Sequence, residues 1–223
     1  MGVILQSYAA RHRQDVEAGR VAPRAHPSSQ HPANYHKLML VKLDKDKHDL
    51  RAIKSQFQRQ VKKLAILFEY ADYLTTVINS GDAKHNETLV TICLWALDTM
   101  QVDYFITLAE YALRHRMNSP QGFKRTLPEL LMEEFSGYVL DYDKPSEMLD
   151  RLQHLGELTN KDKCAIADEI TAKFYKAQGL ALERSNPQAA LQGYQLAQQY
   201  GARVKQAISR LEKQLCKPTN PTA

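Results

Sequence analysis

Apolar residues recur at helical spacing along most of the chain. In DKDKHDLRAIKSQFQRQVKKLAILF (residues 44–68), Leu50, Ile53, Phe57, Val61, Leu64 and Phe68 fall three or four positions apart, and Ala71 and Ile78 extend the series. This spacing predicts a long amphipathic helix with a seam close to heptad repeat. Asp44 or Asp46 is placed to cap it, because a carboxylate accepts from the free N–H groups of a first turn. NSGD (79–82) stops it. YHKLMLVKL (35–43) reads as a shorter helix before it. Residues 6–20 allow another short helix. RVAPRAHPSSQHPAN (20–34) then carries three prolines and two serines, which predicts a linker or mobile arm.

Helical periodicity continues to the C-terminal region. Residues 87–99 and 103–116 form a pair around DTMQVD. NSPQGFKR (118–125) is a loop, and TLPE (126–129) is a capping box that opens a helix to about Asp141. Further helices are expected over 145–156, 160–184, 187–200 and 202–216, with Asn186–Pro187 as a cap followed by a first-turn proline. The tail KPTNPTA is expected to be disordered. LWALDTMQVDYFITLAEYAL (94–113) can be laid on GLALERSNPQAALQGYQLAQ (179–198) at an offset of 85. Each copy reads as helix, short turn, helix, with small residues at the crossing, as in tetratricopeptide hairpins. The fold class is therefore all-α: a long amphipathic helix plus helical hairpins, weakly tetratricopeptide-like. The pattern divides the chain into a basic arm and linker (1–34), a basic helical region (35–80), a central helical domain (81–157) and a C-terminal hairpin region (158–217).

Charge sharpens the picture at the front of the chain. Residues 1–63 hold thirteen Lys/Arg against five Asp/Glu, a net of +8, whereas residues 64–223 hold seventeen against twenty, a net of −3. A basic front end suggests a polyanionic partner, with a merely solvated basic face as the alternative. Between the apolar positions of the long helix lie Lys45, Lys47, Arg51, Lys54, Arg59, Lys62 and Lys63. These are the candidate DNA-binding residues. No Lys or Arg occurs from Leu64 to Asn79, so Leu64, Phe68, Ala71 and Ile78 are the candidate seam for packing on a second copy. The alternative is an ordinary core helix of a monomer.

Catalytic signatures are sparse. No P-loop, dinucleotide fingerprint, H-E-x-x-H or G-x-S-x-G occurs. Asp44, Asp46 and His48 fit three positions of a calcium loop, but Asp49 replaces the required Gly and Ser55 the required Glu. Cys93, Cys164 and Cys216 have neither disulfide nor zinc spacing. No metal site and no cofactor is expected. Glu129, Glu133 and Glu134 are the weak catalytic candidates, since a magnesium-dependent nuclease needs grouped carboxylates. Magnesium enters only on that reading. No apolar run approaches the roughly 18–20 residues of a membrane span, and no signal peptide is read at the N-terminus.

LMLVKL…LRAIKSQ, VTICLWALDTMQVDYFITLAEYALRHRMNSP, KRTLPELLMEE and AQGLALERSNPQAALQGYQLAQQYGARVKQAISRLEKQLCKP together resemble the small terminase subunit of peduovirus-type tailed phages. The resemblance covers roughly residues 36–218, in order. It implies binding of double-stranded phage DNA at a packaging site in the host bacterial cytoplasm. It also implies assembly into a homo-oligomer, of which a ring is one form, and a separate large terminase subunit that carries the ATPase. The same family bears the label of terminase endonuclease subunit, so two alternatives stay open: a metal-dependent endonuclease that cuts concatemeric DNA, and a non-catalytic helical adaptor. Family members continue into a long basic tail where this chain reads KPTNPTA; if that tail binds DNA in relatives, the task here falls to the front end or is weaker.

Overall fold

The structure, a computed structural model, describes residues 32–161 and 165–216. The suggested arm falls outside these residues except for 32–34, and the tail 217–223 falls outside them entirely. The described residues are helical, with no strand among them. The chain divides into two compact units between Lys124 and Arg125. That boundary lies within the stretch 81–157.

The first unit opens with α1 (Pro32–Ala52) and α2 (Gln56–Leu67). A 3-10 turn (Phe68–Tyr70), α3 (Ala71–Ser80), α4 (Glu87–Asp98) and α5 (Val102–Arg114) follow. The single helix expected from Asp44 to Asn79 is therefore three helices, and α1 runs through Asp44 without a cap. The break comes at Ser55, whose hydroxyl accepts from the Gln58 amide and starts α2. A serine is a weak mid-helix residue and a strong N-cap, and here the cap dominates. Pro32 stands at the first helical position of α1, three residues before the expected start at Tyr35. Gly81 closes α3 with φ +67°, as the NSGD stop implies.

Two polar clusters fasten α1 to the body. Lys42 pairs with Asp46 at 2.5 Å and Glu69 at 3.0 Å, and its ammonium lies 4.1 Å from the Tyr70 ring centroid. Tyr70 donates to the buried Asp46 at 2.6 Å. Near the start of α1, the Tyr73 hydroxyl meets His36 Nδ1 at 2.5 Å and accepts from Asn86 at 2.8 Å. Burial is the main cause that pushes the Tyr73 phenol up to about 12. The apolar core beneath these clusters includes Leu43, Leu67, Leu74, Leu89, Ile92, Phe105 and Leu108.

The second unit holds α6 (Leu127–Asp141), a 3-10 turn (Pro145–Met148), α7 (Leu149–Lys161), α8 (Asp168–Leu182), α9 (Pro187–Gln199) and α10 (Lys205–Leu215). The expected helix over 160–184 is shorter: α7 extends to Lys161 and α8 begins only at Asp168. Asn186 caps α9 through the Ala189 amide, with Pro187 in the first turn. Phe135, Leu131, Val139, Leu152, Leu155 and Ile170 are fully buried.

The 85-residue offset has a structural counterpart. α5 ends with Met117 N–H on Ala112 O and Arg116 N–H on Leu113 O; α9 ends with Ala202 N–H on Ala197 O and Gly201 N–H on Gln198 O. These are the paired bonds of a Schellman motif. The left-handed residue is Arg116 (φ +50°) in one copy and Gly201 (φ +95°) in the other. At φ +50° the first copy tolerates an arginine, whereas φ +95° in the second calls for glycine, so the two stops do not look alike in sequence.

Close approach is tightest between α8 and α9. A Cβ on Gly193 would sit 3.2 Å from Gly179 Cα and 3.3 Å from Gly179 N. Backbone cannot swing aside as a side-chain tip does. Gly193→Leu is expected to destabilise this unit by roughly 2–3 kcal/mol despite its better helix propensity. A fall in the far-ultraviolet CD melting temperature measures it, and an unchanged melt contradicts the packing.

Candidate nucleic-acid interface

The seven front-end cations fall into distinct environments. Lys47 reaches across to Glu87 at 2.8 Å, and Glu87 also accepts from the Gln121 amide and faces His85. Lys63 pairs with Asp98 and stands 5.9 Å from the Trp95 ring centroid, with its side chain only 17% exposed. The Arg59 guanidinium donates to Ile53 O at 2.8 Å, where it ties α2 back to the break before it. These three side chains are engaged in holding the fold. Lys62 is half-buried.

Lys45, Arg51 and Lys54 differ. All three are exposed, and among the described residues none is in an ion pair. Arg51 lies in the last turn of α1 and complements the negative end of the helix dipole. Lys54 lies in the break, whose path is set by the Ser55 cap and the Arg59 hydrogen bond. The C-terminal end of α1 and the break thus present a small basic surface beside the acidic Asp44 and Asp49, also exposed.

The apolar stripe behaves unexpectedly. On α2, Ile66 and Leu67 face the core, while Phe57, Val61 and Leu64 face solvent at 73%, 53% and 39% exposure. These three are four and three positions apart and share one face. The face that bears Arg59 and Lys63 is turned toward the body instead. Of the expected seam, Ala71 is fully buried within the fold, Phe68 and Ile78 are half-buried, and Leu64 is exposed. Leu38 and Val41 on α1 are exposed as well. The sequence concealed this, because YHKLMLVKL offers two apolar faces and only Met39 and Leu43 enter the core. The acids that hold Lys47 and Lys63 lie 40 and 35 residues away, beyond any local sequence signal.

Of the candidate carboxylates, Glu129 and Glu133 are occupied. Thr126 and Glu129 close the expected capping box, in which Glu129 accepts from the Thr126 amide at 3.1 Å and the Thr126 hydroxyl at 2.8 Å. It also accepts from the Ala167 amide at 3.3 Å. Burial raises the Glu129 carboxyl, but these hydrogen bonds and the Arg125 charge outweigh it and hold it below its ordinary value. Glu133 pairs with Arg125 at 2.6 Å. Glu134 is exposed. Among the described residues, no group of three or more His, Cys, Asp or Glu side chains is arranged to hold a metal ion, and no helix is long and apolar enough to cross a membrane.

Comparison with known proteins adds a family. The family model described as phage small terminase subunit matches residues 40–172. A protein of Escherichia phage P2, "Terminase, endonuclease subunit", is 31% identical over 214 residues, covering 95% of this chain and 86% of the relative. A "Probable terminase, endonuclease subunit" of Haemophilus phage HP1 is 23% identical over 163 residues, covering 71% of this chain and 57% of that relative. No solved structure gives a significant match.

Proposed function

The chain belongs to the phage small terminase subunit family, and from that premise we propose that it is a non-catalytic DNA-recognition and assembly protein of viral packaging. Lys45, Arg51 and Lys54, with Lys62 at the margin, contact backbone phosphates of double-stranded phage DNA. Phe57, Val61 and Leu64 pack against a second copy, and repetition of that contact builds a multimer, with a ring as its closed form. A separate large subunit supplies the ATPase, in the host cytoplasm. The single observation that carries the DNA reading is that Lys45, Arg51 and Lys54 are exposed and in no ion pair among the described residues, while the neighbouring Lys47 and Lys63 are paired off. Phosphate neutralisation needs charges of that kind.

A second reading is favoured by the printed names of both relatives, which say endonuclease subunit. On that reading Glu129, Glu133 and Glu134 hold magnesium beside a phosphate. The occupied state of Glu129 and Glu133 argues against it, since three donors and a guanidinium already take their lone pairs. One experiment addresses both readings: incubate the full chain with labelled viral duplex, with and without magnesium, and read retention and cleavage together. Retention without cleavage is the expected result. Magnesium-dependent cutting that disappears in Glu133→Ala would establish the nuclease instead, and failure to retain DNA at low salt would leave only a helical adaptor.

A further inference from the structure

The second unit has its own charge division. Residues 125–172 hold five Lys/Arg against eleven Asp/Glu, a net of −6, whereas residues 173–216 hold seven against two, a net of +5. In the acidic part, Arg125 pairs with Glu133 and Glu169, and Lys144 with Glu147. In the basic part they outnumber their acids, and folding gathers several at one place.

That place is an open groove of about 1060 Å³ formed by α8, α9, the turn after α9 and α10. Lys176 comes from α8, Arg203 from the turn, and Lys205 and Arg210 from α10. Lys176, Arg203 and Lys205 are exposed and in no ion pair among the described residues. The one carboxylate in the lining, Glu183, accepts from Arg210 at 2.6 Å and from the buried Tyr194 hydroxyl at 2.5 Å. It is thereby compensated, and it fixes the Arg210 head at the wall. The turn that brings Arg203 and Lys205 to the mouth depends on Gly201 at φ +95°, where other residues are strained.

We propose that this groove is a second phosphate-binding site, which takes the sugar–phosphate backbone of nucleic acid at a place separate from the front-end cations. The chemistry favours an extended polyanion. The groove is open, at the upper end of the roughly 300–1,000 Å³ of small-molecule pockets, and its mixed lining sets four cations, Lys176, Arg203, Lys205 and Arg210, against the single carboxylate of Glu183. Its cations come from three segments, so they line a path and not a point. The identity of the polyanion as nucleic acid rests on the packaging reading above; the existence of an anion groove does not.

The test uses the full chain and a fluorescein-labelled duplex of arbitrary sequence, with anisotropy followed over a salt series. The combined variant Lys176→Ala, Arg203→Ala and Lys205→Ala is expected to make the slope of log K on log salt shallower by about 2.7, since each lost phosphate contact removes about 0.9. Arg210 is left in place because it holds Glu183. Glu183→Gln is expected to bind more tightly than wild type, a gain that a damaged fold does not produce. An unchanged slope in the triple variant, with wild type bound, overturns the proposal while leaving the front-end reading intact. Loss in this variant together with no effect of changing Lys45, Arg51 and Lys54 supports the groove and defeats the front-end reading. Poly-glutamate bound by wild type and lost in the variant, with duplex binding unaltered, identifies an acidic polypeptide as the occupant and also overturns the proposal.

Discussion

Changing Lys45, Arg51 and Lys54 together to alanine is expected to flatten the salt dependence of duplex binding by about 2.7 in slope, while Lys47→Ala and Lys63→Ala leave it unchanged. The difference follows from what each side chain touches. A cation that displaces condensed counterions must meet the phosphate with its charge uncommitted. Lys47 is held by Glu87, and Lys63 lies between Asp98 and Trp95. Removing either leaves a carboxylate without its cation, a loss of about 1 kcal/mol in a partly exposed pair. The expected signature is a lower melting temperature with an unaltered salt slope. A triple variant that binds with the wild-type slope shows that the front end makes no phosphate contacts.

The largest stability effect is expected at Asp46. This carboxylate is buried, accepts from Tyr70 and pairs with Lys42. Alanine removes the acceptor of the Tyr70 hydroxyl and one of the two carboxylates beside Lys42, next to the junction where α2 passes into the 3-10 turn. Leaving the buried Tyr70 hydroxyl without its acceptor costs roughly 1–3 kcal/mol, and Lys42, left with Glu69 alone, is held more weakly as well. Asp46→Asn keeps an acceptor for Tyr70 and is expected to fall between wild type and alanine. Trp95 is the only tryptophan and lies in the first unit, so urea unfolding followed by its fluorescence reports that unit alone. A midpoint shift of less than about 1 kcal/mol equivalent in Asp46→Ala contradicts this account of how α1 is held.

Local chemistry was readable from the sequence, and long-range pairing was not. The capping box at Thr126–Glu129, the Asn186–Pro187 start and the Gly81 stop each depend on residues within four positions, and each forms as expected. The all-α class follows from the same period. Hydrophobic spacing predicts one long helix because it continues through Ser55, whereas helix continuity depends on a single cap. The periodic stripe could not reveal which of its faces is covered. Phe57, Val61 and Leu64 have core-like spacing, yet α2 turns Ile66 and Leu67 inward and leaves these three exposed. Grouping of charge in the second unit was equally hidden, since Lys176 and Arg210 meet only after α8 and α10 pack about α9.

The exposed stripe leads to the decisive measurement, the native mass of the full chain by sedimentation velocity, with Phe57→Asp alongside. A charge in the middle of an apolar contact is costly, whereas on a solvent-exposed face of a monomer it is nearly neutral. Wild type is expected to be a multimer, and Phe57→Asp to dissociate to the monomer with helicity retained. A wild-type monomer at concentrations that bind DNA, or a multimer unaltered by Phe57→Asp, contradicts the proposed assembly face.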